Sequence, residues 1–204
     1  MLSAEHNYAA KDWLRDGRPV IVRAIKDTDK ELLQQIMKDV SAESRYNRFF
    51  CAKKILTASE LRYFTEIDFD KHIALIVSLC DEAGEHPIAV GRYIAIADGA
   101  SGHSGGDHDG NDGGDHRGGN GGSAELALLV GEAYQRQGIG SILLNHLANI
   151  ALTKGVSEFV CYIMPENRKM LNFLRDSKYP VVRLPEPGSI VQMSVGLKGK
   201  AQSA

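Results

Sequence analysis

The chain is predicted to fold as an α/β domain of three layers, a mixed central sheet of about seven strands flanked by helices. Three observations predict it. Apolar residues switch repeatedly between the two-residue period of strands and the 3.6-residue period of helices. The segments follow one another as strand, two or three helices, three strands, helix, strand, helix and two strands, an order suited to a layered sheet. At 204 residues and 43% apolar content the chain can bury one good core.

Residues 1–16 are polar, lack a signal-peptide core, and read as an N-terminal extension. Pro19–Ile25 is β-rich and stops before Asp27, Thr28 and Asp29, which suit a helix N-cap. Leu32, Leu33, Ile36, Met37 and Val40 mark one face of the helix that follows. Ser41–Phe50 reads as a second short helix. Thr57-Ala-Ser-Glu60 is a capping box that opens a third, with Leu61 and Phe64 facing inward. His72–Cys80 is a strongly apolar strand, joined through the turn Asp81–Pro87 to Ile88–Ala97 as a hairpin. Leu126–Val130 is the next strand. The helix Gly138–Lys154 follows, with Ile139, Ile142, Leu143, Leu147 and Ile150 on its inner face and Gly155 as its C-cap. Phe159–Met164 is a buried strand, a helix runs from about Glu166 to Ser177, and Val181–Leu184 with Ser189–Val195 forms a closing hairpin around Pro185-Glu-Pro-Gly188. Residues 198–204 are a tail.

One segment breaks this pattern. Eleven of the 21 glycines crowd between Asp98 and Ser123, together with His103, His108, His116 and five acidic residues from Asp98 to Asp115. Nothing there can pack a core, so residues 99–122 read as a solvated insertion between two strands. Its carboxylates and imidazoles leave open a metal-binding loop, and its acidity a role in attracting a basic acceptor.

The formal charge of −2 argues against bulk binding to nucleic acid or membrane. No apolar run reaches the roughly 18 residues that span a bilayer. Cys51, Cys80 and Cys161 are an odd set at wide spacing. Cys80 and Cys161 lie in apolar runs and are expected to be buried free thiols of a cytoplasmic protein.

The most informative stretch is 125–141. A short strand runs into Gln135, Arg136, Gln137, Gly138, Ile139 and Gly140, and a helix follows at once. Glycines at 138 and 140 let the backbone approach a ligand closely, and a helix start offers unpaired N–H groups and a positive dipole end. That combination suits a phosphate or pyrophosphate. A P-loop is excluded because no Gly-Lys-Ser/Thr ending is present. A dinucleotide fingerprint would need a third glycine where the chain has Leu143.

The spacing Gln135-x-x-Gly138-x-Gly140 after a strand resembles the GNAT acyltransferases. Further stretches are Gly17-Arg-Pro-Val-Ile-Val-Arg23, Ser44-Arg-Tyr-Asn-Arg48-Phe49-Phe50, Leu61-Arg-Tyr-Phe-Thr-Glu-Ile67-Asp68, Gly91-Arg92-Tyr93 and Ala124-Glu125-Leu126-Ala127. Together they resemble the acetyltransferase domain of bacterial Pat-type protein-lysine acetyltransferases, over roughly residues 15–197 apart from the insertion. The resemblance implies a GNAT-like sheet in a domain at 17–197, acetyl-CoA as co-substrate with no metal required, and a protein lysine as acceptor. It implies that backbone groups of Leu128, Leu129 and Val130 hold the pantetheine arm. Gln135, Arg136, Gln137, Gly138, Ile139, Gly140 and Ser141 would then cradle the pyrophosphate, and Asn167 would make a second contact. Family members often carry a nucleotide-binding or CoA-ligase-like domain as well. Residues 1–16 are too few for either, so control by a cyclic nucleotide is not expected of this chain.

A lysine ε-amine has a reference pKa of about 10.4, so about one in two thousand is uncharged at pH 7 and a base is needed. The resemblance assigns that role to Glu125, with Glu132 a more distant candidate. Many GNAT enzymes place a tyrosine proton donor seven residues after the asparagine, where this chain has Leu174. The Pat-type branch tends to lack it too. No cysteine has the setting of a nucleophile, so direct transfer is expected. Acetylation of a small amine, a non-catalytic acyl-CoA-binding regulatory protein, and metal buffering by the insertion remain the alternatives.

Overall fold

The computed structural model describes residues 4–49, 53–82, 84–96, 122–185 and 188–198. In chain order the elements are β1 (Ala9–Trp13), β2 (Pro19–Ala24), α1 (Lys30–Asp39), α2 (Ala42–Phe49), α3 (Ala58–Thr65), β3 (His72–Asp81), β4 (Gly84–Ala95), β5 (Gly122–Val130), α4 (Ile139–Thr153), β6 (Val156–Ile163), α5 (Arg168–Arg175), β7 (Val181–Leu184) and β8 (Val191–Gly196). Eight strands form one mixed sheet in the order β1-β2-β3-β4-β5-β6-β8-β7. The β5–β6 pair is parallel and the other neighbours are antiparallel.

The sheet is covered on both faces, as the alternation of apolar periods predicts. On one side Leu33 and Met37 of α1 and Phe64 of α3 surround Val90, Arg92 and Leu129. On the other, Gly91 faces Leu143 and Leu147 of α4. The residues marked for the inner face of α4 are all buried. Gly155 takes φ +78 directly beyond the helix, the left-handed turn that ends it. Arg23 of β2 ties the start of α1 to the β3–β4 hairpin, donating to Asp29 at 2.7 Å and to Glu85 at 2.8 Å.

Several expectations need correction. The N-terminal extension is part of the domain: β1 pairs with β2 from Ala9↔Arg23 to Trp13↔Pro19. Its Tyr8 hydroxyl lies 2.5 Å from Nδ1 of His146 on α4, whose Nε2 lies 3.3 Å from Asp12. As an edge strand, β1 alternates exposed with half-buried residues and so carries no apolar stripe to announce it. The sheet therefore has eight strands where about seven were expected. β4 begins at Gly84, earlier than Ile88, and β5 begins at Gly122, so Gly122 belongs to a strand and not to the insertion. The rest of the insertion, with its histidines, lies outside the described residues, as does Cys51. Cys161 is buried, but Cys80 is exposed, because the end of the β3–β4 hairpin projects past the core.

The capping box predicted at Thr57 is present. The Thr57 hydroxyl accepts the Glu60 N–H, and the Glu60 carboxylate accepts the Thr57 N–H at 2.9 Å. Hydrogen bonds from Lys53 and then from the Thr57 amide hold the Glu60 carboxyl down at about 2, below its ordinary 4.5. Thr57→Ala should lower stability by about 1 kcal/mol, seen as a drop of about 3 °C in Tm by calorimetry. The depressed carboxyl makes its own contribution present above pH 4.5 and lost as pH falls toward 2. The difference in Tm between wild type and Glu60→Gln should close over that same interval.

Candidate active site

The parallel ladder between β5 and β6 runs from Gly122↔Val156 to Glu125↔Val160 and stops there. Beyond it, Leu126–Val130 continues to pair with β4, while Cys161–Ile163 continues to pair with β8. The two strands therefore part as the arms of a V. A cleft of about 620 Å³ opens between them. Its walls include Leu126 to Val130, Cys161 to Ile163, the first turn of α4, and residues of α2 and α5. The edge of β5 that faces the cleft has no strand beside it among the described residues. Its backbone groups are free to pair with an extended ligand, as a strand would. Leu128, Leu129 and Val130 lie on that edge.

The turn after β5 is shaped for an anion. Arg136 takes φ +64 and Gly138 takes φ +90, and Gly138 is the N-cap of α4. The left-handed conformation at 138 is one that an L side chain adopts only with strain. The first intrahelical bond runs from the Ile142 N–H to the Gly138 carbonyl at 3.0 Å, so the amides of Ile139, Gly140 and Ser141 have no acceptor within the helix. Gly138, Ile139, Gly140 and Ser141 all line the cleft. At Gly140 a Cβ would come within 3.1 Å of the Phe173 ring on α5. These free amides, beside a cleft wide enough for an extended arm, fit a pyrophosphate.

Sequence reasoning missed Arg15. It follows β1 and crosses the same turn, its N–H donating to the Gln137 carbonyl at 3.0 Å and its Nη1 to the Arg136 carbonyl at 3.4 Å. Its Cγ lies 3.4 Å from where a Gly138 Cβ would stand, and Arg15 lines the cleft. No signal in residues 1–16 marks it, because only the pairing of β1 with β2 brings it there. Arg15→Ala should weaken acetyl-CoA binding about tenfold, the scale of one charge-assisted contact to phosphate, with a smaller loss at high salt. Calorimetry at two salt concentrations checks both parts.

Glu125 is half-buried at the apex of the V, as the last rung of the β5–β6 ladder. It stands in mid-strand, opposite Ile94 of β4, and not at the strand's start as expected. Glu132 sits in a short turn beyond β5 and its oxygens are already engaged. One accepts from Ser44 at 3.2 Å and Gln135 at 3.1 Å, the other from Lys169 at 3.2 Å. Burial alone would raise this carboxyl. Hydrogen bonds from Ser41 and Lys169 outweigh that and hold it below its ordinary value. Glu132 is thus an anchor that links α2, the turn and α5.

The remaining candidates divide. Gln135 lines the cleft while its side chain joins the Glu132–Lys169 network. Arg136 also lines the cleft, whereas Gln137 does not, its carbonyl being taken by Arg15. Asn167 caps α5, accepting the Met170 N–H at 3.1 Å, and also lines the cleft. Leu174 is fully buried in the core and offers no proton donor. Among the described residues, no group of three or more His, Cys, Asp or Glu side chains stands together as a metal site, and no helix is long and apolar enough to cross a membrane.

The model of the acetyltransferase (GNAT) family matches residues 40–178. An acetyltransferase of Pseudomonas aeruginosa is 22% identical over 157 residues, which cover 77% of this chain and 73% of that protein. The acetyltransferase Pat of Mycolicibacterium smegmatis is 27% identical over 158 residues, and the match spans 77% of this chain but only 40% of that longer protein. Among solved structures, the GNAT domain of S. lividans PAT superposes with a TM-score of 0.74 at 32% identity, covering 91% of this chain and 95% of that domain.

Proposed function

The chain belongs to the acetyltransferase (GNAT) family, and from that premise we propose that it transfers an acetyl group from acetyl-CoA directly to a protein lysine ε-amine, with Glu125 receiving the proton. The observation that carries this reading is the position of Glu125. It is the only carboxylate at the apex of the V among the described residues, beside the slot that fits the cofactor arm. Acetyl-CoA supplies an activated thioester. The free edge of β5 and the amides of Ile139, Gly140 and Ser141 orient it, so that its acyl end lies toward Glu125. As the amine nitrogen bonds to the acetyl carbon, the carbon–sulfur bond breaks and the nitrogen's proton passes to Glu125. CoA leaves as a thiolate and takes a proton from solvent, since Leu174 can give none.

Direct transfer is supported by the state of Cys161, the one thiol that lines the cleft among the described residues. Burial, with a smaller effect from Glu125, pushes it up to about 12, so it is protonated at neutral pH and is no nucleophile. The lysine acceptor is supported by the resemblance of Ser44–Phe50 and Leu61–Asp68 to the Pat-type branch, and the cytoplasm is assigned on the reading of the cysteines, Cys80 and Cys161 being free thiols. Mass spectrometry of lysate proteins incubated with the purified chain and labelled acetyl-CoA tests it. Label on lysine side chains of a restricted set of proteins is expected. Label confined to small amines would replace the acceptor, and cofactor binding with no label at all would make the chain a non-catalytic binder.

A further inference from the structure

Two arginines converge on the sheet face that carries Glu125. Register places Arg92 of β4 opposite Ala127 of β5, two residues along the strand from Glu125, so the side chains of all three leave the same face. The small side chain of Ala127 leaves Arg92 room. Arg92 is 5% exposed, its guanidinium carbon lies 4.1 Å from the centroid of the Phe64 ring, and its Nη1 lies 3.4 Å from Nε2 of His72. Arg48 enters from the last turn of α2. It lines the cleft beside Glu125 and also a void of about 10 Å³ that it shares with Arg92. Among the described residues neither arginine makes an ion pair. Glu125 is the carboxylate whose charge bears on Arg48. Removing a cation from water without a paired anion is costly, so the buried Arg92, with the half-buried Arg48 beside it, calls for a use.

We propose that Arg48 and Arg92 form a cationic wall on the acceptor side of Glu125 that admits the acceptor amine in its uncharged form. This rests on the acetyl-transfer reading and adds to it a reason why the nucleophile arrives with its lone pair free. The groups that face this space set its balance. Arg48 and Arg92 bring two positive charges, Glu125 one negative. Burial and the Arg92 and Arg48 charges lower His72 of β3 to about 4 against the opposing pull of Asp68, so it is neutral at pH 7. The Asp68 carboxylate is itself exposed to solvent and accepts the backbone N–H groups of Asp70, Lys71 and His72. Burial and then Arg48 lower Arg92 to about 9, which leaves it cationic at pH 7. Cys161 of β6 is protonated, Tyr63 of α3 packs its ring on His72, and Glu43 of α2 is exposed at the rim, where solvent screens it. The sum is positive. An ammonium entering this space meets repulsion that an uncharged amine does not. Glu125 then has only to take the proton released as the carbon–nitrogen bond forms. The two arginines are positioning residues, acting through Glu125 and the amine.

The pH profile of kcat reports groups in the bound complex and tests the wall, with poly-L-lysine as acceptor and saturating acetyl-CoA. Removing one cation makes the space less hostile to an ammonium and so raises the titration of the bound amine. In Arg48→Gln the acidic limb should shift upward by about one pH unit, the size of one charge interaction at this depth. Arg48→Lys keeps the charge and should leave the limb at its wild-type position. Arg92→Gln should shift it in the same direction as Arg48→Gln. Wild-type turnover with superimposed limbs in Arg48→Gln would overturn the wall and leave acetyl transfer intact. A lysine variant that behaves as the glutamine one would overturn it too, since geometry and not charge would then be at work. Failure of the wild type to turn over any amine would defeat the acetyl-transfer reading and the wall together.

Discussion

Glu125→Gln should lower kcat by about 10²–10⁴ and leave acetyl-CoA affinity nearly unchanged. Glutamine keeps the size and the hydrogen-bonding reach of the side chain but cannot take a proton. Position 125 lies at the apex of the V, while the proposed pyrophosphate cradle lies beyond the far end of β5, so the two proposed functions separate in space. The deficit should shrink at high pH, where hydroxide can take the proton that leaves the nitrogen as the amide forms. Steady-state kinetics against pH, paired with calorimetry, measures both quantities. Unaltered turnover at neutral pH would pass the role to a bound water, because Glu132 is already held by Ser44, Gln135 and Lys169.

Gly140→Glu should weaken acetyl-CoA binding by at least about a hundredfold. A side chain at 140 meets Phe173 at 3.1 Å, and its carboxylate falls among the amides that would hold the pyrophosphate. The substitution does not harm the helix as such, since a negative charge in the first turn suits the dipole of α4. Loss of binding with helical content retained would therefore report the cradle and not unfolding. Gly138→Glu should give the same loss with an added stability cost, because φ +90 at 138 strains any L side chain. Circular dichroism and calorimetry on the two variants separate these effects. Wild-type affinity in either one would remove the cradle assignment.

The parts of this fold that were legible in the sequence are those where a strong local signal agrees with its tertiary use. The helix after Gly138 carries an inner face that is wholly buried, and Thr57 with Glu60 makes the capping box its spacing predicts. What escaped detection depends on long-range pairing. β1 shows no apolar stripe because it lies at the sheet edge, so Arg15 looked like part of a loose extension although it crosses the anion turn. Cys80 reads as buried because it ends an apolar run, but a hairpin tip outreaches the layers that cover it. Arg48 and Arg92 enter the sequence reading only as members of stretches that resemble the Pat-type branch, with no role attached. Only the register of β4 on β5 and the crossing of α2 bring them to Glu125. Glu125 itself was found by resemblance. Its place at the point where the parallel ladder ends belongs to the sheet, and no local pattern encodes it.

Acetyl-CoA is expected to lie in the V between β5 and β6 with its acyl end at Glu125. A crystal structure of the acetyl-CoA complex tests this most directly. Expected are pyrophosphate oxygens about 3 Å from the amides of Ile139, Gly140 and Ser141, a pantetheine arm hydrogen-bonded to the free edge of Leu128–Val130, and the thioester carbon within about one water's reach of the Glu125 carboxylate. A thioester turned away from Glu125, or a pyrophosphate bound elsewhere than the first turn of α4, would contradict it.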